Sequence, residues 1–255
     1  LIKILKRCKK KNIKPNLLIP MDYAGNTCDI ESMFKICKNE KIRIIQDGCH
    51  SFGSKDSKNN YIGKSSKTSF TTFSFHPVKN ITTIEGGAVT TNNKNLYKAL
   101  KELRNHNLIK TSFNDPYKLI GPSLNFRLGE VNALIGLEQM KQIHNFKKKR
   151  SYLVNYYISQ MSKFDDYFEI INFNSKKIFW HLFSILLKGK LRANKREFVN
   201  FLRENKIATQ IHYKPLFLHK IYKKFTILNE SSNSIKFYKS QLTLPLHVSM
   251  EKEDI

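Results

Sequence analysis

Two hydrophobic periodicities alternate along the first part of the chain, and each change between them marks a predicted element. Residues 16–26, "NLLIPMDYAGN", are a short apolar run closed by a turn, which predicts a buried strand. Residues 29–41 begin with acidic side chains and then place apolar ones at helical spacing, so they predict a helix. A second apolar run, Ile42–Ile45, leads to Asp47 and a glycine turn and predicts another strand. Strand, helix and strand with short connections indicate a right-handed parallel unit buried on both faces.

The next part of the chain predicts a loop, two strands and a helix. Residues 54–67 are polar and rich in turn formers, which is typical of a surface loop or hairpin. The runs "SFTTFSF" (69–75) and "GGAVTTN" (86–92) predict two strands, which flank Lys79. An amphipathic helix is predicted over 93–107. Its apolar stripe comprises Leu96, Ala99, Leu100 and Leu103.

The second half of the chain has a different pattern. A long helical region is predicted from Gly129 past Tyr157. Beyond it, the sequence predicts strands over 167–173, 179–187 and 207–215 and a helix over 194–206. The change of pattern predicts a domain boundary, with a large domain over 1–160 and a smaller α+β domain over 161–255.

The composition is that of a globular protein with a large positive charge. The chain has 255 residues, 40% of them hydrophobic, and a formal net charge of +25. A positive charge of this size favours binding to an anionic partner such as nucleic acid or a membrane surface. However, the charge is spread along the chain and comes from 37 Lys against 8 Arg, and Arg is the better residue for forked phosphate contacts. We therefore expect neither partner, although a basic nucleic-acid-binding protein remains the alternative from a different functional class.

The remaining composition favours a cytoplasmic protein. No apolar run reaches the roughly 18–20 residues that a membrane span needs. The cysteines form neither a CxxC pair nor a secreted disulfide pattern, which predicts reduced thiols in the cytoplasm. They are Cys8, Cys28, Cys37 and Cys49. The histidines show no HExxH or Cys/His spacing, so the sequence predicts no metal site.

Asp47 and Lys79 are the strongest candidates for chemistry. Both follow predicted strands, and ligands of open α/β sheets bind beyond the carboxyl ends of the strands. A partly desolvated lysine can attack a carbonyl, and an aspartate facing it suits pyridoxal phosphate (PLP), whose ring nitrogen it would keep protonated. Ser74 could bind the cofactor phosphate. The residues alone also allow a solvated lysine, an aspartate that caps a turn and an ordinary strand serine.

Several stretches together resemble the DegT/DnrJ/StrS family of PLP-dependent sugar aminotransferases. The stretches that carry the resemblance occur in the family's order along nearly the whole chain: "DYAGN", "QDGCHSFGS", "FSFHPVKNITTIEGGAVTTN", "LRNHN", "LNFRLGEVNALIGLEQM", "WHLF", "HYKPLF" and "LPLH". The resemblance implies the PLP-dependent transferase fold type I, which is aspartate-aminotransferase-like. We expect a partial large domain with a mostly parallel sheet and a smaller α+β C-terminal domain.

The resemblance also implies roles for individual residues. Lys79 corresponds to the lysine that binds PLP covalently and moves the substrate proton, and Asp47 to the partner of the pyridine nitrogen. His50 corresponds to a cofactor contact, and Ser74 to a phosphate ligand. Asn125 corresponds to an asparagine that reaches the phosphate of the neighbouring subunit, which implies a homodimer with a shared site. The residue alone would also suit a helix cap. His212 and Tyr213 resemble a segment near the active site without an assigned chemical step.

The implied reaction moves an amino group from L-glutamate to C4 of a 4-keto-6-deoxy UDP-sugar, in pseudaminic acid or surface-glycan biosynthesis. Another nucleotide-sugar aminotransferase or an inactive fragment remains an alternative. A sugar dehydratase is disfavoured because that branch of the family tends to carry His in place of Lys79. The family's phosphate-binding Gly-Thr turn has no counterpart before "LIKILKRC" and a last helix is expected after "LPLHVSMEKEDI". We therefore expect a truncated chain that folds poorly or aggregates alone.

Overall fold

A computed structural model describes residues 1–114, 116–171, 176–225 and 232–255. These residues form two compact units. The first contains residues 1–144 and 176–179, and the second contains the rest of the described chain. The predicted domain boundary after residue 160 falls within the second unit and stays a prediction.

The first unit is built on a four-stranded sheet. Its strands, in spatial order, are β1 (Leu17–Leu18), β2 (Arg43–Asp47), β3 (Phe70–Ser74) and β4 (Gly87–Thr90). β1, β2 and β3 run parallel, and β4 pairs antiparallel with β3. The mostly parallel sheet of the predicted α/β fold is therefore confirmed. The parallel arrangement brings the carboxyl ends of β2 and β3 to the same edge.

Helices and a small hairpin complete this unit. Its helices are α1 (Ile2–Lys10), α2 (Ile30–Asn39), α3 (Lys94–Arg104) and α4 (Glu130–Lys141), and the hairpin consists of β5 (Leu108–Lys110) and β6 (Tyr117–Leu119). α2 begins where the side chain of Asp29 accepts a hydrogen bond of 3.0 Å from the backbone N–H of Ser32. α1 and α2 pack on the sheet through a buried apolar cluster that includes Leu5, Cys37, Ile42 and Ile44. The helices predicted over 29–41 and 93–107 are thus confirmed.

One expectation for the first unit is wrong in part. The predicted strand over 16–26 is reduced to the two residues of β1, because Pro20 has no N–H to continue the ladder and Ile19 is exposed. Met21 forms only a single bridge with Asp47. The apolar stripe of α3 is half-buried at Leu96 and Leu100 and exposed at Ala99 and Leu103.

The second unit has a three-stranded antiparallel sheet with helices. Its strands are β7 (Phe168–Ile170), β8 (Phe183–Leu187) and β9 (Gln241–Leu244), with β8 in the centre. Its helices are α5 (Ile143–Met161, from its third residue), α6 (Gly189–Ala193), α7 (Lys195–Glu204) and α8 (Ser232–Ser240). Tyr157 of α5 stacks on Phe183 with ring centroids 4.4 Å apart, and its hydroxyl donates to the Pro245 carbonyl at 2.9 Å. These contacts fix α5 against the sheet.

The second half of the chain departs from the sequence pattern in two places. The long predicted helical region is two helices, α4 and α5, which are separated at Gln142. The strand predicted over 207–215 is reduced to one isolated bridge between Gln210 and Thr243. The last two residues of the strand predicted over 167–173 lie outside the described residues. Among the described helices, none combines the length and the apolarity that a membrane crossing requires.

Candidate active site

Asp47 lies at the carboxyl end of β2, at the edge where the sequence places the site. Its backbone pairs with Thr72 of β3 in the parallel sheet. Its side-chain Oδ1 accepts a hydrogen bond of 3.0 Å from the backbone N–H of Cys49. The turn that follows β2 therefore orients this carboxylate.

Lys79 lies in the loop between β3 and β4, within the electrostatic reach of Asp47. Its backbone N–H donates to the His76 carbonyl at 2.9 Å, which closes a turn. Burial lowers the pKa of Lys79, and the nearby Cys49 and Asp47 act in the opposite direction. The result is a half-buried amine that gives up its proton more readily than a surface lysine and has a carboxylate nearby.

The glycine pair after Lys79 is required by the path of this loop. Gly86 has φ +155°, and a methyl group there would lie 2.4 Å from Oγ1 of Thr83. A methyl group on Gly87 would lie 2.6 Å from the backbone carbonyl oxygen of Phe73. Only residues without a side chain allow the loop to return this closely onto β3, and this return holds the segment of Lys79 in place.

The structure places His50 and Ser74 near the same sheet edge. His50 follows Asp47 by three residues and is 2% exposed, and its Nδ1 accepts from the backbone N–H of Ala24 at 3.4 Å. Ser74 is the last residue of β3, beside the end of β2. Its hydroxyl accepts only a long contact, 3.5 Å, from the backbone N–H of His76. The structure thus brings Asp47, His50, Ser74 and Lys79 into one region of the first unit.

Asn125 lies in a different environment. Its Oδ1 accepts from the backbone N–H of Arg127 at 3.2 Å, and its backbone forms a bridge with Asn105. The N-cap of α4 is Gly129, so the alternative that Asn125 caps this helix is wrong. Asn125 is exposed, and both of its chain neighbours, Leu124 and Phe126, are exposed apolar residues.

Cys49 is a residue of this region that the sequence patterns do not single out. Burial raises the pKa of its thiol to about 11, and the hydrogen bond to Asp47 and the charge of Asp47 act in the same direction. Its thiol therefore stays protonated near neutral pH and lies beside the carboxylate.

His212 and Tyr213 belong to the second unit. The backbone N–H of His212 donates to Gln241 Oε1 at 2.9 Å, and its Nδ1 lies 2.8 Å from Oγ1 of Thr243. Both partners lie on β9. These contacts anchor the segment to its own sheet and assign no chemical step to it.

The fold is that of the type I PLP-dependent transferases, and the region around Lys79 lies at the sheet edge where such folds bind ligands. Residues 9–255 match the DegT/DnrJ/EryC1/StrS aminotransferase family, and the chain belongs to it.

The relatives include proteins with named activities. The chain is 33% identical over 255 residues to the UDP-4-amino-4,6-dideoxy-N-acetyl-beta-L-altrosamine transaminase of Campylobacter jejuni strain 81-176, covering 99% of this chain and 66% of the relative. It resembles the structure of Helicobacter pylori PseC, an aminotransferase involved in the biosynthesis of pseudoaminic acid, with a TM-score of 0.87 and 30% identity over 93% of this chain and 63% of PseC. The PLP form of Spr1654 from Streptococcus pneumoniae has a TM-score of 0.82 and 26% identity, covering 94% of this chain and 65% of Spr1654. The chain thus spans 66% or less of the length of these relatives.

Proposed function

We propose that this chain carries the catalytic lysine of a PLP-dependent aminotransferase that acts on a nucleotide sugar. The amino donor is L-glutamate, and the acceptor is C4 of a 4-keto-6-deoxy UDP-sugar on the way to pseudaminic acid or a related surface glycan. The observation that carries the proposal is the half-buried Lys79, with its lowered pKa, near the carboxylate of Asp47. The named activity of the Campylobacter relative supports the choice of substrate class.

The donor set of the region fits the cofactor. An amine of lowered pKa suits the aldehyde of PLP, a carboxylate suits its pyridine nitrogen, and the Ser74 hydroxyl at the end of β3 suits its phosphate. His50 is the fourth proposed contact. When bound, PLP supplies an electron sink for the negative charge that develops at the carbon losing its proton.

Lys79 has two proposed tasks. Its Nζ would hold the cofactor covalently and, once free, would take a proton from the substrate carbon and deliver it to C4′ of the cofactor. A general base must be unprotonated in part near neutral pH, and the burial that lowers the pKa of Lys79 serves this requirement. Asp47 holds the proton on the ring nitrogen through its negative charge, while the Cys49 amide keeps the carboxylate in place.

The variant Lys79→Ala tests the proposal. It should lose the visible band of the lysine-bound cofactor and reduce amino transfer from L-glutamate by at least about a hundredfold, because general acid and base catalysis is removed. Lys98→Ala, on an exposed face of α3, is the matched control and should keep both properties. An unchanged band and rate in Lys79→Ala would contradict the proposed function.

We also propose a homodimer in which Asn125 completes the partner's site. α4 has an exposed apolar stripe in which Val131 is 71%, Leu134 60% and Leu137 62% exposed. This stripe lies close in sequence to Asn125 and its exposed apolar neighbours Leu124 and Phe126. An exposed apolar surface of this kind is typical of an interaction site, and a second copy of the chain is the occupant that we propose.

Mixing two inactive variants tests the shared site. Lys79→Ala and Asn125→Ala should each have little activity, because one lacks the lysine and the other lacks the group given to the partner. In a hybrid dimer, the Asn125→Ala subunit keeps its own Lys79 and receives Asn125 from its partner, so one site is complete. Activity regained after co-refolding supports the proposal, whereas a mixture without recovery, or a monomer, contradicts it.

The domain organisation and location are also proposals. We propose that residues 1–160 belong to the PLP-binding domain and that residues 161–255 belong to the small domain. We propose a cytoplasmic location, which the spacing of the four cysteines in the sequence supports. No nucleic-acid or membrane partner is proposed.

A further inference from the structure

Asp22 follows β1 and directly precedes the short turn Tyr23–Gly25, and its carboxylate is fully buried. It is 0% exposed. Its Oδ1 accepts from the backbone N–H of Cys28 at 2.8 Å, and its Oδ2 accepts from Gln46 Nε2 at 2.8 Å and from Ser51 Oγ at 2.7 Å. Three donors therefore converge on one side chain, which belongs to the stretch "DYAGN" but has no role assigned from the sequence.

The burial of this carboxylate is costly. Burial raises the pKa of Asp22, and the hydrogen bonds from Cys28, Ser51 and Gln46 oppose the shift. No ion pair involves Asp22 in the part of the chain that the structure describes. Burying an acid that accepts hydrogen bonds only from neutral donors costs folding free energy. Such costs concentrate at functional sites.

Two of the three donors are chain neighbours of proposed cofactor ligands. Gln46 directly precedes Asp47, and Ser51 directly follows His50. By binding both, the Asp22 carboxylate fixes the beginning and the end of the turn that carries these two ligands.

The backbone strengthens the same connection. The N–H of Asp22 donates to the Asp47 carbonyl at 3.0 Å, and the N–H of Asp47 donates to the Pro20 carbonyl at 2.8 Å. The short turn that follows Asp22 supplies the Ala24 N–H that His50 accepts at 3.4 Å. Side-chain and backbone contacts from the Pro20–Ala24 segment thus hold both proposed ligands.

We propose that Asp22 is a positioning residue of the cofactor site, and this inference rests on the proposed function. Its carboxylate fixes the turn from Gln46 to Ser51 so that Asp47 and His50 meet the cofactor at a set orientation. Asp22 itself does not touch the cofactor or the substrate.

The variant Asp22→Asn tests the proposal because it keeps the volume of the side chain. The new amide N–H group would face the N–H group at Nε2 of Gln46, and two donors cannot hydrogen-bond to each other. The hydrogen bond between these two side chains is therefore lost. We expect the Kd for PLP to rise by about tenfold, equivalent to about 1.4 kcal/mol, because the turn that carries Asp47 and His50 would no longer be held in one orientation. We also expect the visible circular dichroism of the bound cofactor to change, since it reports the orientation of the ring.

A second change should restore the arrangement. In the double variant Asp22→Asn/Gln46→Glu, the amide at position 22 donates to the carboxylate at position 46, which reverses the original hydrogen bond. One buried carboxylate remains, as in the unchanged protein. PLP affinity and the visible circular dichroism should return most of the way to those of the unchanged protein. Gln46→Glu alone, which places two carboxylates face to face, should bind PLP more weakly. A double variant no better than Asp22→Asn would overturn the proposal.

Control measurements separate this inference from a merely structural role and from the proposed function. Asp56→Asn, in an exposed turn, should leave PLP binding unchanged.

If Asp22→Asn does not fold, Ser51→Ala removes only one of the three donors and should still raise the Kd for PLP. If Asp22→Asn lowers the melting temperature of the protein with and without PLP but leaves affinity and circular dichroism unchanged, the positioning role is wrong. These variants are made in a full-length protein that carries this sequence, and if that protein without substitutions does not bind PLP at all, the proposed function itself fails.

Discussion

The backbone N–H of Cys49 donates to Oδ1 of Asp47 at 3.0 Å, so the carboxylate at the end of β2 is oriented by the turn that follows it. A hydrogen bond to a charged acceptor is stronger than one between neutral groups. The chain therefore presents this acid in a defined direction at the sheet edge. The proposed role of Asp47 toward the cofactor depends on that direction.

Asp47→Asn should weaken PLP binding by about ten- to hundredfold, because an amide keeps the hydrogen bond from Cys49 but has no charge to hold a proton on the ring nitrogen. Fluorescence titration with PLP measures the effect. Asp56→Asn is the control, since Asp56 also accepts a local backbone hydrogen bond, at 2.8 Å from Asn60. Equal affinity in both variants would show that Asp47 does not bind the cofactor.

The thiol of Cys49 should react slowly with iodoacetamide. Because burial and Asp47 raise its pKa to about 11, little thiolate is present near neutral pH. At about pH 8 we expect alkylation roughly a hundredfold slower than that of an unperturbed cysteine peptide. Its rate should continue to rise as the pH approaches 11. Mass spectrometry of the peptide containing Cys49 measures this, and a rate that levels off near about pH 9 would contradict the prediction.

Gly87→Ala should destabilise the protein by about 1–3 kcal/mol, because the new methyl group would lie 2.6 Å from the backbone carbonyl oxygen of Phe73. The pairing of β3 with β4 would have to shift. Gly121→Ala is the matched control, since its methyl group would meet only the side-chain amide of Asn107. Thermal unfolding compares the two, and equal melting temperatures would argue against the close approach at Gly87.

Arg150→Met should lower the free energy of unfolding by about 3 kcal/mol. The buried guanidinium, whose pKa burial lowers to about 10, donates to the carbonyls of Trp180, His181 and Leu246 at 3.1–3.3 Å. Methionine fills similar space but leaves these buried acceptors without that donor. Arg196→Met, on the exposed side of α7, should have little effect. Denaturant unfolding of both variants provides the measurement, and similar losses would contradict the role of Arg150.

Much of the sheet could be predicted because strong local signals agree there. β2 is an apolar run that ends at an acid and a glycine turn, and the loop between β3 and β4 ends at the glycine pair with which β4 begins. The predicted length of β1 is too great because an apolar run does not reveal how many of its residues find a partner strand. The strand predicted over 207–215 is wrong for the same reason, since only Gln210 pairs there.

Part of the candidate site could be predicted, because residue types that can bind a cofactor occur just after predicted strands. Asp47 ends β2 and Lys79 lies in the loop after β3, and such positions near the carboxyl edge of a sheet can be inferred from sequence. Asp22 could not be identified in the same way, because its three donors come from segments that only the fold brings together. The cue that remains in the sequence is an acid within an apolar run, and an acid in that setting is equally typical of a turn.

Covalent trapping at Lys79 tests the central claim most directly. A full-length protein that carries this sequence is purified, loaded with PLP, reduced with borohydride and digested, and the labelled peptide is located by mass spectrometry. The account predicts one stable label, on Lys79 in the segment "FSFHPVKNITT". A label on another lysine, or no label in a protein that binds PLP, would contradict it.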